Sequence, residues 1–112
     1  MPVLQPEISV VIPTLNAAGW LPAQIGALRM QSLPPAEIIL VDSQSDDGTP
    51  ALAEQLGCRV IPIRRDQFRH GRARNWGAQA ARGNLLVFLT QDALPASDSF
   101  LAELTRPLAL GE

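Results

Sequence analysis

Arg72 and Arg74 stand at the start of a helix-forming stretch, and Asp92 stands just beyond the apolar run 85–89. Their types and spacing could do chemistry. Two planar, permanently charged guanidinium forks match phosphate oxygens, and a carboxylate at the rim of a buried strand is a ligand for a hard cation. Together they suit a diphosphate and its metal ion, which suggests a nucleotide-diphosphate site. Mg2+ or Mn2+ commonly keeps one or two protein carboxylates and completes its shell with phosphate oxygens, so a single Asp suffices. The plainer reading of Asp92 is a loop or N-cap residue ahead of Pro95.

Asp42 directly follows IILV at 38–41, which places its carboxylate where a strand hands over to a loop. There it can accept from a base imide or a ribose hydroxyl, or cap its own turn in DSQSDDGT. Asp46 and Asp47 read as turn formers, with Gly48 taking the backbone conformation of a tight turn. Thr14 and Asn16 follow the first strand and could reach a nucleotide, although Asn in such a loop is usually a turn or cap residue. His70 is the sole histidine, so no triad or multi-histidine metal site can be assembled. It could donate to a diphosphate or sit on the surface beside arginines. Trp20 and Trp76 lie at helical spacing with other apolar residues and read as core. Gly71, Gly77 and Gly83 form no dinucleotide or P-loop signature.

The elements that would position these residues must fit in 112 residues, enough for one small domain with a core. Hydrophobic residues at 46% and charged residues at 18% exclude a disordered chain. The net charge of −2 excludes a global nucleic-acid footprint. Every basic residue is an arginine, and five of the nine lie between Arg64 and Arg74. Such a run is a solvated face or an anion site. Cys58 alone makes no disulfide framework or zinc cluster and reads as a buried strand thiol. No apolar run approaches the ~20 residues that span a bilayer, and no leader pattern opens the chain, so a cytoplasmic location is expected.

Apolar runs at 8–12 (ended by Pro13), 38–41 and 85–89 predict strands buried on both faces, and 58–63, with Pro62 at its end or on an edge, predicts a further strand between the last two. Between them, Trp20, Ile25, Leu28 and Met30 predict one helix. Thr49 as N-cap, Pro50 in the first turn and Gly57 past the end predict a second. Residues 71–82 predict a third, and a fourth runs from a Ser97 cap to a stop at Pro107, with Phe100, Leu101 and Leu104 inward. The order β-α-β-α-β-α-β-α implies a mostly parallel sheet with helices on both faces. Ligands then bind at the carboxyl ends of the strands, where Asp42 and Asp92 share one edge.

With these positions in place, the chain resembles the amino-terminal half of family 2 glycosyltransferases. The motifs are VVIPTLN, EIILVDSQSDDGT, RHGRARNWGA and LLVFLTQDA, in family order from Ile8 to Pro107. The resemblance implies an α/β fold of the GT-A (Rossmann-like) type, in which Pro13, Thr14 and Asn16 line the nucleotide pocket. It further assigns Asp42 to the pyrimidine base, Arg74 to the diphosphate and Asp92 to the metal, Mg2+ or Mn2+. FRHGRARNWGA followed by FLTQDALP looks like the rhamnosyltransferase branch, which implies a dTDP-rhamnose donor, with UDP-linked sugars as the wider class. Two departures matter. The family strand ends in D-x-D where Thr90-Gln91-Asp92 stands here, and only twenty residues follow Asp92, so the acceptor half and its general base are expected to lie outside this chain. The mechanism implied for a whole enzyme is inverting displacement, on a cell-surface polysaccharide or lipid-linked acceptor, with peripheral membrane association in the full-length protein. An apolar flank left uncovered would favour self-association. The alternative class is a non-catalytic nucleotide-binding or assembly module whose arginine loop contacts a protein partner.

Overall fold

The computed structural model describes residues 7–67 and 70–109, apart from the side chains of residues 67, 70–72 and 107–109. The elements are β1 (Ile8–Thr14), α1 (Leu21–Arg29), β2 (Glu37–Asp42), α2 (Thr49–Gln55), β3 (Arg59–Pro62), a 3-10 turn (Arg65–Gln67), α3 (His70–Ala80), β4 (Leu85–Phe88) and α4 (Phe100–Ala109). The four strands pair in the order β3-β2-β1-β4, all parallel. The chain therefore builds outward from β1 to β3, then crosses back to add β4 on the other side of β1. That reversal opens a crevice at the carboxyl ends of β1 and β4, the usual ligand position in such sheets.

Side chains alternate across the sheet as strand geometry requires. Ile8, Val10, Ile12, Ile38 and Leu40 point to one face and pack with Leu21, Ile25, Leu28, Ala53 and Leu101 from α1, α2 and α4. Val11, Ile39 and Val41 point to the other, where Ala73 of α3 covers them. The expected helices on both faces are present. α3 comes close because of Gly77, where an added Cβ would lie 2.2 Å from Cγ1 of Val11.

Several local expectations need correction. Pro13 does not end β1, which runs on to Thr14. Its missing N–H faces the β4 side, beyond the last paired residues Val11 and Phe88, so no ladder bond is lost. Gly48, with φ of 86°, occupies the cap position of α2 in place of Thr49, while Gly57 follows the helix with φ of 81° as expected. Trp20 and Trp76 are not core residues, being 51% and 43% exposed. The buried stripe of α1 is Leu21, Gln24, Ile25 and Leu28, and Trp20 precedes the helix while Met30 lies past its end. α4 begins at Phe100 and continues through Pro107 to Ala109, so the proline does not stop it. Leu104 is half exposed.

β4 is the largest departure. It is an edge strand, and Leu86 and Phe88 are each 38% exposed, so only Val87 behaves as a buried position. The continuous apolar run resembles a two-sided strand, but α3 lies over β1 and β2 and leaves the outer half of this face bare.

At the amino end of the β1–β2 ladder, the paired residues Ser9 and Glu37 face α3. The Glu37 carboxylate accepts from Ser9 Oγ, from the Arg82 backbone N–H and from Arg59 Nη1, the last two linking the segment after α3 and strand β3 to β2. Burial raises the Glu37 pKa, but these hydrogen bonds and the Arg59 charge outweigh it and hold the group at about 2, against an ordinary 4.5. A folded-state pKa below the unfolded one gives stability that is fully present above about pH 4.5 and is lost as pH falls toward 2. With the partly exposed Arg59 discounted for screening, the contribution is roughly 2 kcal/mol. Denaturant melts at stepped pH should show this acid slope in the wild type and a flattened slope in Glu37→Gln.

Candidate functional site

The opposite, carboxyl end of the same ladder repeats the arrangement on the other face. Thr14 and Asp42 are paired residues of β1 and β2, so strand register alone brings their side chains together. Thr14 Oγ1 donates to Asp42 Oδ1 at 2.7 Å, and both residues are buried. Ser45 closes the cluster, its hydroxyl donating to Oδ1 at 2.6 Å and its backbone N–H to Oδ2 at 3.0 Å. Asp42 thus caps its own turn, as the plainer reading holds. One side of Oδ2 still has acceptor capacity, since a carboxylate offers about four lone-pair positions.

The loops after β1 and β2 are zipped together above this cluster. Asn16, at φ 54°, accepts from the Asp46 N–H through Oδ1 and donates its own N–H to Ser45 Oγ. Asp47 accepts from the N–H groups of Ala18 and Thr49 and from the Thr49 hydroxyl, while Thr49 Oγ1 receives the Ala17 N–H. Burial raises the Asp47 pKa and those hydrogen bonds, led by the Thr49 hydroxyl, bring it below the ordinary carboxylate range. Asp46 and Asp47 thereby shape the loops, as expected of turn formers. From the arginine segment, Arg65 joins the same rim, its N–H donating to Gln44 Oε1 and its guanidinium lying 3.8 Å from Asp46.

The third loop is tied in from β4. Gln91 Oε1 accepts the Leu15 N–H at 2.9 Å and so bridges the crevice between β1 and β4. Asp92 follows it, exposed, with Oδ1 accepting from Thr90 Oγ1 at 2.9 Å and Oδ2 without a partner among the described residues. Asp42 and Asp92 therefore lie at the same carboxyl-terminal edge, as the alternation of strands and helices predicts. Among the described residues no three His, Cys, Asp or Glu side chains cluster as a metal cage. A lone exposed carboxylate with a free oxygen fits a cation that takes most of its ligands from a bound diphosphate and water.

Arg74 stands apart. Its guanidinium lies 5.5 Å from the Phe88 ring centroid and lines a groove of about 380 Å3 with Leu86, Val87, Phe88, Leu104 and Thr105. It is exposed, and its present contact is aromatic. Arg69 and the side chains of His70 and Arg72 lie outside the described residues. Pro13 is buried in β1, paired with Val41 of β2. Sequence reasoning missed Ser45, Gln91 and Gln24 as parts of this edge. Ser45 carried a signal, since a serine three residues after a strand-end Asp can close an Asx-type turn. No helix among the described residues is long and apolar enough to cross a membrane.

A sequence profile of Glycosyl transferase family 2 matches residues 9–110. The O-antigen chain rhamnosyltransferase RfbN of Salmonella typhimurium is 34% identical over 100 residues, covering 88% of this chain and 32% of that protein. A PGL/p-HBAD biosynthesis glycosyltransferase of Mycobacterium bovis is 37% identical over 91 residues, covering 78% of this chain and 36% of that protein. The chain thus spans about a third of the length of these relatives. Among solved structures, Mycobacterium tuberculosis glucosyl-3-phosphoglycerate synthase, in complex with Mn2+, UDP and glucosyl-3-phosphoglycerate, superposes with a TM-score of 0.75 at 28% identity. That match covers 96% of this chain and 41% of the synthase.

Proposed function

We propose that this chain, which belongs to glycosyl transferase family 2, is the donor-binding part of an inverting glycosyltransferase that uses a nucleotide-diphospho-sugar. The observation that carries the reading is the convergence of the Thr14–Asp42 pair and Asp92 on one sheet edge, at the crevice where strand order reverses. Asp42 would accept from the imide of a pyrimidine base through the spare capacity of Oδ2. Pro13, Thr14 and Asn16 would wall the nucleoside. Asp92 would hold Mg2+ or Mn2+ against the diphosphate; the ion supplies charge stabilisation for the leaving group when bound. Arg74 would swing from Phe88 to the same oxygens, a move its exposed, flexible stem permits.

In the whole enzyme an acceptor hydroxyl oxygen would attack the anomeric carbon as the bond to the diphosphate breaks, its proton passing to a carboxylate outside these residues. The relation to RfbN, named a rhamnosyltransferase, supports a rhamnosyl donor, for which dTDP-rhamnose is the proposed form, and the M. tuberculosis synthase with bound UDP keeps UDP-sugars in view. The relatives' names, O-antigen chain and PGL/p-HBAD biosynthesis, are in keeping with a cell-surface polysaccharide or lipid-linked acceptor, and the proposed site of action is cytoplasmic. Titration calorimetry of dTDP and UDP, each with and without Mn2+, tests the reading. Tighter binding of either with the ion supports it, and absence of binding to both overturns it.

A second reading is favoured by one observation, the seating of Arg74 on Phe88 beside the bare flank of β4. In this reading the arginine and the exposed Leu86, Phe88 and Leu104 form a contact surface for protein. Sedimentation velocity over a wide concentration range should then show self-association, weakened by Phe88→Ser; a strictly monomeric chain would remove this reading.

A further inference from the structure

Two glutamines are buried along this part of the chain, Gln24 on the otherwise apolar stripe of α1 and Gln31 two residues past the helix end. Both are spent on the backbone that follows β4. Gln24 Nε2 donates to the carbonyl oxygens of Thr90 and Ala93, each at 2.8 Å. Gln31 Nε2 donates to Ser97 O at 2.8 Å, and Gln31 Oε1 accepts the Leu101 N–H at 3.0 Å. Just past the helix, the Ser32 N–H donates to Asp98 O.

The Gln24 contact encloses Asp92. Thr90 and Ala93 are the two ends of the turn that presents it, closed by the Ala93 N–H on Thr90 O. Two carbonyl oxygens at hydrogen-bond distance can be met only by the amide NH2, so both donor hydrogens are engaged there. Gln24 Oε1 is left buried without a partner. An orphaned acceptor is destabilising, and an apolar residue at this 1% exposed position would avoid it. The amide therefore does something that packing alone does not need.

We infer that Gln24 is a positioning residue: from α1 it clamps both ends of the Thr90–Ala93 turn and so sets where Asp92 and Gln91 stand, with Gln31 anchoring the far end of the same loop. The metal consequence rests on the donor-site reading proposed above; the clamp itself does not. Preorganised ligands lose less on binding than ligands that must first be ordered.

Amide hydrogen exchange by NMR on Gln24→Met, a substitution of similar volume without donors, tests the clamp. The Leu15 N–H, held by Gln91, and the Ala93 N–H, held by Thr90, should exchange roughly ten-fold faster or more, the scale of one or two lost hydrogen bonds, with the β1–β2 ladder unchanged. Unchanged turn amides, or equal acceleration throughout the sheet, would overturn it and leave Gln24 as ordinary core. Gln24→Glu gives an independent check should the Met variant unfold. Its ionised carboxylate opposes two carbonyls and should loosen the turn at neutral pH, and protonation on acidification should restore part of the protection by donating one bond; a pH-independent turn counts against the clamp. UDP titration with and without Mn2+ separates the two ideas. Loss of the ion's effect in Gln24→Met, where wild type shows one, extends the clamp to the metal, and retention of the full effect limits it to the backbone. If wild type shows no effect of Mn2+, the Asp92 reading fails while the exchange rates still decide the clamp.

Discussion

Asp92→Ala is expected to abolish the Mn2+ dependence of UDP and dTDP binding. The residue supplies the one carboxylate at the mouth of the β1–β4 crevice that has an oxygen free among the described residues, Thr90 occupying only Oδ1. Because the first position of the family D-x-D is Thr90 here, no second carboxylate stands in the motif to compensate. Losing a group behind a metal ligand typically costs 10–100-fold in metal affinity, so losing the ligand itself should cost at least about 100-fold. Calorimetry of the ternary system measures this directly. Affinity without the ion should be unchanged or slightly better in the variant, since an anionic neighbour of the diphosphate is removed. An Asp92→Ala protein that still binds nucleotide more tightly with Mn2+ would take Asp92 out of the metal role.

The same residue shows what was legible in the sequence and what was not. The apolar β-branched runs and the alternation of strands with helices lead to a parallel sheet and to a shared edge for Asp42 and Asp92, because period and strand direction are local or topological matters. The exposed β4 flank could not be read the same way. Leu86 and Phe88 are as apolar as residues covered on both faces, and only the lateral position of α3 leaves them bare. Trp20 misleads for a related reason, since a large apolar residue one position outside a helix lies off its buried stripe. Gln24 and Gln31 are invisible for the opposite reason. A glutamine in a helix or just past its end is commonplace, and its bonds to backbone 66 to 70 residues away follow from tertiary packing alone.

Asp42→Ala and Arg74→Ala should have effects of opposite pattern. Asp42 collects three hydrogen bonds from Thr14 and Ser45, and at 2% exposure its loss leaves the Thr14 hydroxyl buried and unpaired. The substitution should cost stability on the order of 3 kcal/mol, about 1 per lost bond. It should also weaken thymidine and dTDP alike, because its proposed partner is the base and the loop around it is what the base meets. Asp42→Asn controls for shape. It keeps an oxygen for Thr14, but its NH2 faces the Ser45 N–H, so stability should recover only in part and nucleoside binding should stay weak. Arg74 is exposed and, among the described residues, its guanidinium rests on Phe88, so Arg74→Ala should leave the melting temperature nearly unchanged. If it reaches the diphosphate, it should weaken dTDP by roughly 1.5 to 3 kcal/mol, the range for a lost charge-assisted bond, and spare thymidine. Calorimetry with nucleoside and nucleotide on each variant gives a two-by-two comparison in which stability is scored separately by melting. Unchanged dTDP binding in Arg74→Ala together with loss of self-association would assign the arginine to the β4 flank, where it already rests on Phe88, and would leave the diphosphate to other groups.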